Sequence, residues 1–244
     1  ALLDAYAQFM AGRYLRARKS AELVLAREDA LRHVADHPLA HAAALRTVAH
    51  VLAAESAHAL QDKALRDQHL QQAEQEAEFA DAGERQALSE GLNLRASRWL
   101  LDDRDAQGSL QRLALLPGAV ARRTAAMRIQ LKAARLAGET ARALDTALLL
   151  AKHRAFSPVA AQSLVRSLVL DMIARTHDQR ALEKLWQGLP PVQRALPEVV
   201  AQAATRRSPP GAARPAPSGR RARPSAGAAT TPERASLPRV ASLT

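Results

Sequence analysis

The chain has 244 residues, a net charge of +11 and no cysteine, which excludes disulfides, thiol catalysis and cysteine-based metal sites. Aromatic residues make up only 3% of the sequence, and alanine, leucine and arginine are abundant. This composition favours closely packed helices over a β-sheet core. The longest apolar run, from Ser157 to Ala174, is interrupted by Arg166 and Asp171, so no stretch is apolar enough to span a bilayer.

The apolar spacing predicts a series of helices joined by short turns. Turns are expected near positions 12, 61, 104, 138 and 177, and a loop at 35–38. The last helix has no visible partner in the sequence. The predicted helices are approximately 2–11, 14–28, 39–56, 63–79, 84–101, 106–115, 119–137, 141–153, 158–174, 178–188 and 192–204.

The stretch from Ala119 to His153 shows this pattern most clearly, as two helices separated by Gly138. A glycine can adopt positive φ and therefore end a helix. The inner residues expected from the spacing are Ala126, Ile129, Ala133 and Leu136 in the first helix, and Ala141, Leu144, Leu148 and Ala151 in the second. Repetition of such pairs every 34 to 50 residues or so predicts an all-α, right-handed superhelical solenoid of about five helical hairpins.

Two regions are expected, a helical-repeat domain over residues 1–205 and a tail over 206–244 rich in Arg, Pro and Ala. The tail holds eight Arg and one acid, hence +7 of the net charge, and seven of the thirteen prolines. Such a segment cannot bury enough apolar surface to offset its chain entropy, so we predict disorder. Two interpretations stay open: non-specific binding of anionic lipid or nucleic acid, and a truncated or frame-altered terminus.

Several segments resemble known repeat proteins. Gly12-Arg13-Tyr14-x-x-Ala17 and Gly138-Glu139-Thr140-x-x-Ala143 resemble the turn of tetratricopeptide repeats. Four segments are similar, in order and spacing, to the repeat domain of HemY proteins of proteobacteria: Leu3 to Tyr14, Leu100 to Ala106, Gly138 with the helix after it, and Leu185-Trp186 through Leu196-Pro197-Glu198. The resemblance covers residues 1–204 or so and is lost after Thr205.

The resemblance implies a protein of the bacterial inner membrane that is associated with late protohaem synthesis. HemY proteins carry two transmembrane helices ahead of such a segment, so we expect this chain to be the part that follows the anchor, on the cytoplasmic side. The family has no established catalytic residue. The resemblance therefore favours a non-catalytic scaffold without a cofactor, whose partners are other proteins such as enzymes of haem synthesis.

In a repeat solenoid, the first helix of each hairpin lines the concave face. The spacing places there a set of cations: Arg95, Arg98, Arg128, Lys132 and Arg135. They predict a basic groove for an acidic peptide, or for the propionates of a porphyrin, because arginine binds carboxylates in a bidentate manner. The alternative is the ordinary solvated face of an amphipathic helix.

Two further groups of residues are weaker candidates. His37 and His41, with His33, have the four-residue spacing of a haem or metal ligand set, but no carboxylate or cysteine completes it, and they are equally typical of loop and cap histidines. Trp99 and Trp186 lie among leucines, which favours a role in the core. No phosphate-binding loop, nucleophile elbow or zinc motif is present, so the sequence predicts no enzyme. A haem or porphyrin carrier remains the alternative to the scaffold.

Overall fold

The computed structural model describes residues 1–32 and 39–207, with side chains for 1–29 and 42–207. These described residues form thirteen α-helices and no β-strand. The all-α prediction is confirmed over this range. The helices are α1 (Leu2–Met10), α2 (Tyr14–Arg32), α3 (Leu39–Ala59), α4 (Lys63–Ala77), α5 (Ala82–Asp102), α6 (Ala106–Ala114), α7 (Gly118–Ala121), α8 (Thr124–Ala137), α9 (Thr140–Lys152), α10 (Pro158–Arg175), α11 (Gln179–Gly188), α12 (Pro191–Arg194) and α13 (Pro197–Arg207).

Consecutive helices pack as hairpins, and each hairpin packs against the next. Four hairpins are formed by α1 with α2, α3 with α4, α5 with α6, and α8 with α9. The second helix of each then contacts the first helix of its successor: α2 contacts α3, α4 contacts α5, α6 contacts α8, and α9 contacts α10. The first helices also touch in sequence, α1 to α3, α3 to α5, and α5 to α8. The four helices α1, α3, α5 and α8 therefore lie side by side.

The turns inside these four hairpins share one backbone geometry. Each contains a residue with left-handed φ: Gly12 (72°), Gln61 (62°), Arg104 (66°) and Gly138 (75°). In each, the N–H of the following residue donates to the carbonyl five residues earlier: Arg13 to Gln8, Asp62 to Ala57, Asp105 to Leu100, and Glu139 to Ala134. These bonds satisfy carbonyls that the helix end leaves open. The predicted turns near 12, 61, 104 and 138 are confirmed.

Two of the four turns lack the glycine that marks the others in the sequence. There, an aspartate follows the left-handed residue and caps the next helix. The carboxylate of Asp62 accepts from the N–H of Leu65, and that of Asp105 from the N–H of Gly108. Such a cap is worth about 1 kcal/mol to the helix that it begins, and it fixes where α4 and α6 start.

The prediction of a single helix over 119–137 is wrong, because the structure has a break in the first part of this range. The chain forms the short helix α7, turns at Arg122 and Arg123, and begins α8 at Thr124. Arg123 is extended, with φ −67° and ψ 142°. The break lets Val120 join a small cluster with Leu113 and Leu116 at the end of α6, and burial of these side chains outweighs the helix propensity of the local sequence.

The predicted final helix over 192–204 is also corrected. Its first part is the four-residue helix α12, and α13 begins at Pro197. The expectation that it has no partner is wrong, because Val199 and Ala203, one turn apart, are buried and α13 packs against α10. Arg206 and Arg207, assigned to the tail from the sequence, are the last residues of α13. The rest of the predicted tail, like the loop at 35–38, lies outside the described residues.

Candidate interaction groove

A groove lined by cations lies where α5 and its turn meet α8. We call it the cationic groove. It has a volume of about 570 Å³ and is open to solvent. Its lining is Arg98, Leu101, Asp102, Arg104, Arg128, Ile129, Lys132 and Leu136. Four cations thus stand against one acid around three apolar side chains, a combination suited to a ligand with both carboxylates and apolar surface.

The residues of α8 that line the groove lie on one face of that helix. Arg128, Lys132 and Leu136 follow one another at four-residue intervals and therefore share a face. The buried side of α8 carries Met127 and Leu131 instead. The sequence analysis expected Leu136 inside the hairpin, but the structure leaves it 47% exposed at the groove. Its four-residue spacing from Lys132 puts it on the groove face of α8 rather than on the face that carries Met127 and Leu131.

The four groove cations differ in how far they are already engaged. Arg98 makes an ion pair with Glu55 of α3 through a single nitrogen, with Nη2 at 2.9 and 2.7 Å from the two carboxylate oxygens. Arg128 donates from Nη2 to the carbonyl of Ala155 at 2.9 Å, and its guanidinium lies 5.9 Å from the centre of the Phe156 ring. Within the described residues, Arg104 and Lys132 make neither an ion pair nor a hydrogen bond through their side chains.

The structure brings together three of the five cations that the sequence singled out: Arg98, Arg128 and Lys132. Arg95 is turned to Glu55, with Nε at 3.3 Å from its Oε1, and donates to the carbonyl of Gly91. Arg135 is exposed on α8 but does not line the groove. Arg104 was missed, because a residue in a turn belongs to neither helix face and periodicity cannot place it.

The one acid of the groove is held by a histidine whose tautomer is fixed. Nε2 of His58 lies 3.2 Å from Oδ2 of Asp102, and Nδ1 lies 3.4 Å from Nη1 of Arg66. A guanidinium can only donate, so Nδ1 is the acceptor and Nε2 carries the proton that Asp102 accepts. Both ring nitrogens are therefore occupied, and His58 offers no lone pair to iron.

Arg66 is itself fixed from several sides. It is 2% exposed and pairs with Asp67 and Asp103 at 2.7 and 2.8 Å. Burial alone would raise the pKa of Asp103, but hydrogen bonds from Arg66 and Lys63 outweigh it and lower that pKa. Asp103 thus stays ionised and holds Arg66 against His58, so the groups that hold Asp102 form a fixed array of charges.

The histidines proposed from the sequence as haem ligands cannot be placed. His33 and His37 lie outside the described residues, and so does the side chain of His41. The structure instead reveals a pair that sequence spacing did not suggest. His50 and His69, on α3 and α4, are both buried, with their Nδ1 atoms 3.1 Å apart. Burial, the partner ring and Arg46 lower the pKa of His50 to about 4, and burial lowers that of His69.

The two tryptophans differ in burial. Trp99 of α5 is 1% exposed and lies in the core, as predicted, with Arg66 at 6.0 Å from its ring centre. Trp186 of α11 is partly buried against the cluster of α8–α13, and Arg207 lies 5.1 Å from its ring. Neither tryptophan lines the cationic groove.

The described residues contain neither a cluster of metal ligands nor a membrane-spanning helix. No group of three His, Asp or Glu side chains among them is arranged to hold a metal ion. None of the described helices combines the length and the apolar character needed to cross a bilayer.

Comparison of the chain with protein-family models, with curated proteins and with solved structures gives no match.

Proposed function

We propose that this chain is a non-catalytic interaction module that binds an acidic surface of a partner protein in the cationic groove. The observation that carries the proposal is the groove itself, in which Arg104 and Lys132 have no acidic partner among the residues that the structure describes, and Arg98 and Arg128 are already positioned. Arg98 and Arg128 are held by contacts within the chain, which reduces the entropic loss on binding, and Arg104 and Lys132 offer their charge to carboxylates of the partner.

The architecture that we propose for the module is a right-handed superhelical solenoid of tetratricopeptide-like hairpins. Two observations support this architecture. The four hairpins share one turn geometry, and α1, α3, α5 and α8 contact one another in sequence. In such a solenoid these first helices line the concave face, and the groove between α5 and α8 would be part of that face.

The biological setting that we propose is late protohaem synthesis at the bacterial inner membrane, with the repeats on the cytoplasmic side. This part of the proposal rests on the resemblance to HemY proteins. The partners would then be enzymes of the last steps of the pathway, which the module holds together.

A direct binding measurement tests the scaffold. The full chain is immobilised, and purified enzymes of the last steps of protohaem synthesis are passed over it at physiological salt. We expect saturable binding to at least one enzyme, weakened about tenfold in Arg128→Ala/Lys132→Ala, equivalent to ~1.4 kcal/mol. Arg16→Ala/Lys19→Ala, which removes two exposed cations of α2, is the matched control. Binding that is equal in the two double variants contradicts the groove, and no binding to any of the enzymes contradicts the scaffold.

A tetrapyrrole carrier is the second candidate. It is favoured by Leu101, Ile129 and Leu136 beside the cations, and by a groove volume in the range of small-molecule sites. Since both nitrogens of His58 are engaged, such a carrier would bind propionates rather than iron. A saturable Soret shift of the full chain with metal-free protoporphyrin and with haem alike, lost in Arg128→Ala/Lys132→Ala, would identify the carrier. The absence of a shift at micromolar concentration would reject it.

A further inference from the structure

A stripe of exposed apolar side chains runs along α1. Leu3, Tyr6 and Met10 are 85%, 55% and 66% exposed, and their spacing puts them on one face. The hydroxyl of Ser20 in α2 donates to Asp4 of α1, so α2 lies on the Asp4 side. The apolar stripe is on the side of α1 away from α2.

The neighbouring helix α3 continues this apolar surface. Leu45 and Val48 are 37% and 43% exposed. Leu52, two turns after Leu45 on the same face of α3, belongs to the cluster against which Leu2 and Phe9 of α1 pack. Leu45 therefore lies on the side of α3 that faces α1, and Val48 lies beside it, one turn further along the helix. We call Leu3, Tyr6, Met10, Leu45 and Val48 the apolar zone.

Glu55 connects the apolar zone to the cationic groove. It lies two turns after Val48 and so on the same face of α3. Its carboxylate pairs with Arg95 and Arg98 of α5, and Arg98 lines the groove. One surface thus runs across α1, α3, α5 and α8, apolar at its first end and cationic at its last.

We propose that this whole surface binds a single amphipathic segment of a partner protein, with large apolar side chains at one end and carboxylates at the other. The proposal rests on the proposed function and names the class of partner. Adjacent packed helices are about 9 Å apart, so α1 to α8 spans about 27 Å. An extended segment of about eight residues covers that length at ~3.3 Å per residue.

Charge complementarity selects this occupant over a second copy of the chain. A two-fold contact through this surface would place the cationic groove on itself or on the apolar zone of the other copy. The first arrangement sets the four cations of each groove against a single acid, Asp102, and the second sets them against apolar side chains, so either one takes cations out of water without enough acids. A partner segment with carboxylates at one end satisfies the cations and covers the apolar zone at the same time.

A selection of peptides tests the proposal without an identified partner. A library of random twelve-residue peptides is selected on the full chain, at a salt concentration high enough to suppress binding to the Arg-rich residues after Arg207. We expect the enriched peptides to carry an apolar block and an acidic block in one fixed order. The apolar variant is Tyr6→Ser/Val48→Ser, with Val159→Ser/Val192→Ser as its control for two exposed apolar residues elsewhere. The charge variant is Arg104→Glu/Lys132→Glu, with Arg16→Glu/Lys19→Glu as its control.

Each variant is first compared with the parent chain by circular dichroism, so that only folded proteins enter the selection. In the apolar variant, the affinity of the enriched peptides is expected to fall about tenfold, while peptides with the acidic block alone bind as before. In the charge variant the acidic block is expected to lose its enrichment. If the enriched peptides are acidic but lack an apolar block, and their affinity is unchanged in Tyr6→Ser/Val48→Ser, this inference is overturned and the proposed function stands. Enriched peptides without acids would overturn both.

Discussion

The interiors of the two halves of the described structure are built differently. Around α3 and α4 the buried positions are mostly alanines with charged and polar groups among them, such as Arg46, Arg66 and the pair His50 and His69. From α8 to α13 the interior is one large cluster of leucine, valine and isoleucine, including Leu150, Val169 and Ile173. The first interior depends on specific ion pairs and the second on apolar burial, so the two should respond to different perturbations.

The two tryptophans make this difference measurable, because Trp99 lies in α5 beside α4 and Trp186 in α11. In Trp186→Phe the fluorescence reports the first interior, and in Trp99→Phe it reports the second. Trp99 is fully buried, so Trp99→Phe by itself changes the free energy of unfolding. Variants made in the Trp99→Phe chain are therefore compared with Trp99→Phe and not with the parent chain.

The largest expected effect comes from Arg46→Ala. Arg46 is 5% exposed and bridges Asp29 of α2 and Glu76 of α4, at 2.5 and 2.9 Å. Removing one partner of a buried ion pair typically costs about 3–5 kcal/mol, and here the cost comes from Glu76, whose side chain is 11% exposed, because that of Asp29 is 59% exposed. Urea unfolding followed by Trp99 should show this loss. A loss below about 1 kcal/mol would contradict the importance that we give to the ionic interior.

A comparable loss of a different kind is expected from Leu150→Ala. Leu150 is fully buried in the apolar cluster, and such truncations cost about 2–5 kcal/mol through lost burial and the cavity left behind. The loss should be the same at pH 7 and pH 5 and should be seen by Trp186. A strong dependence on pH would show that the second interior is not purely apolar in its energetics.

Acid should weaken the first interior selectively. The unfolded chain takes up a proton at His50 near pH 6.5, and the folded chain only near pH 4. Between these values the unfolded state binds more protons, so stability falls as the pH falls, by up to roughly 3 kcal/mol. His69, whose pKa is also lowered, acts in the same direction. The charged and polar groups around the pair are Arg46, Asp29 and Glu76 for His50, and Glu22, Arg18 and Gln72 for His69.

The check is urea unfolding at pH 7, 6, 5 and 4.5 in Trp186→Phe, with and without His50→Gln. The variant should lose the part of the pH dependence that comes from His50, since glutamine does not titrate in this range, and keep the part that comes from His69. An unchanged slope in His50→Gln would assign the acid sensitivity to other groups.

The smallest effects are expected in the hairpin turns, and their signs should differ. Gly138→Ala puts a side chain on a residue with φ 75° and should cost about 1–2 kcal/mol. Gln61→Gly relieves the same strain at φ 62° and should add about 0.5–1 kcal/mol. Thermal unfolding of the two variants measures both. Two effects of the same sign would contradict the common turn geometry.

Much of the helical order follows from local signals that the sequence displays. Gly12 and Gly138 end helices, and Asp62 and Asp105 begin them, so the hairpin turns are predictable. The break at Arg123 is not, because Arg122-Arg123-Thr124 contains no helix-breaking residue. The packing of α13 on α10 was missed for a similar reason, since Val199 and Ala203 alone do not identify a partner.

The groove was only partly predictable. Arg128 and Lys132 follow from helical spacing on α8, whereas Arg104 depends on the direction in which a turn points. The ion pair that turns Arg95 to Glu55 joins residues far apart in the sequence, and so does the contact of His58 with Asp102. Contacts of this kind need the packing of one hairpin on the next, which the residue pattern within one helix does not specify.

The most direct test of the account is hydrogen–deuterium exchange of the full chain with and without the most enriched peptide of the selection. Bound peptide should slow exchange at the end of α5, in the turn around Arg104 and along α8, and Lys132→Glu should abolish the protection while Lys19→Glu keeps it. Protection confined to the residues after Arg207, or unchanged in Lys132→Glu, would contradict the claim that the cationic groove is the binding surface of this protein.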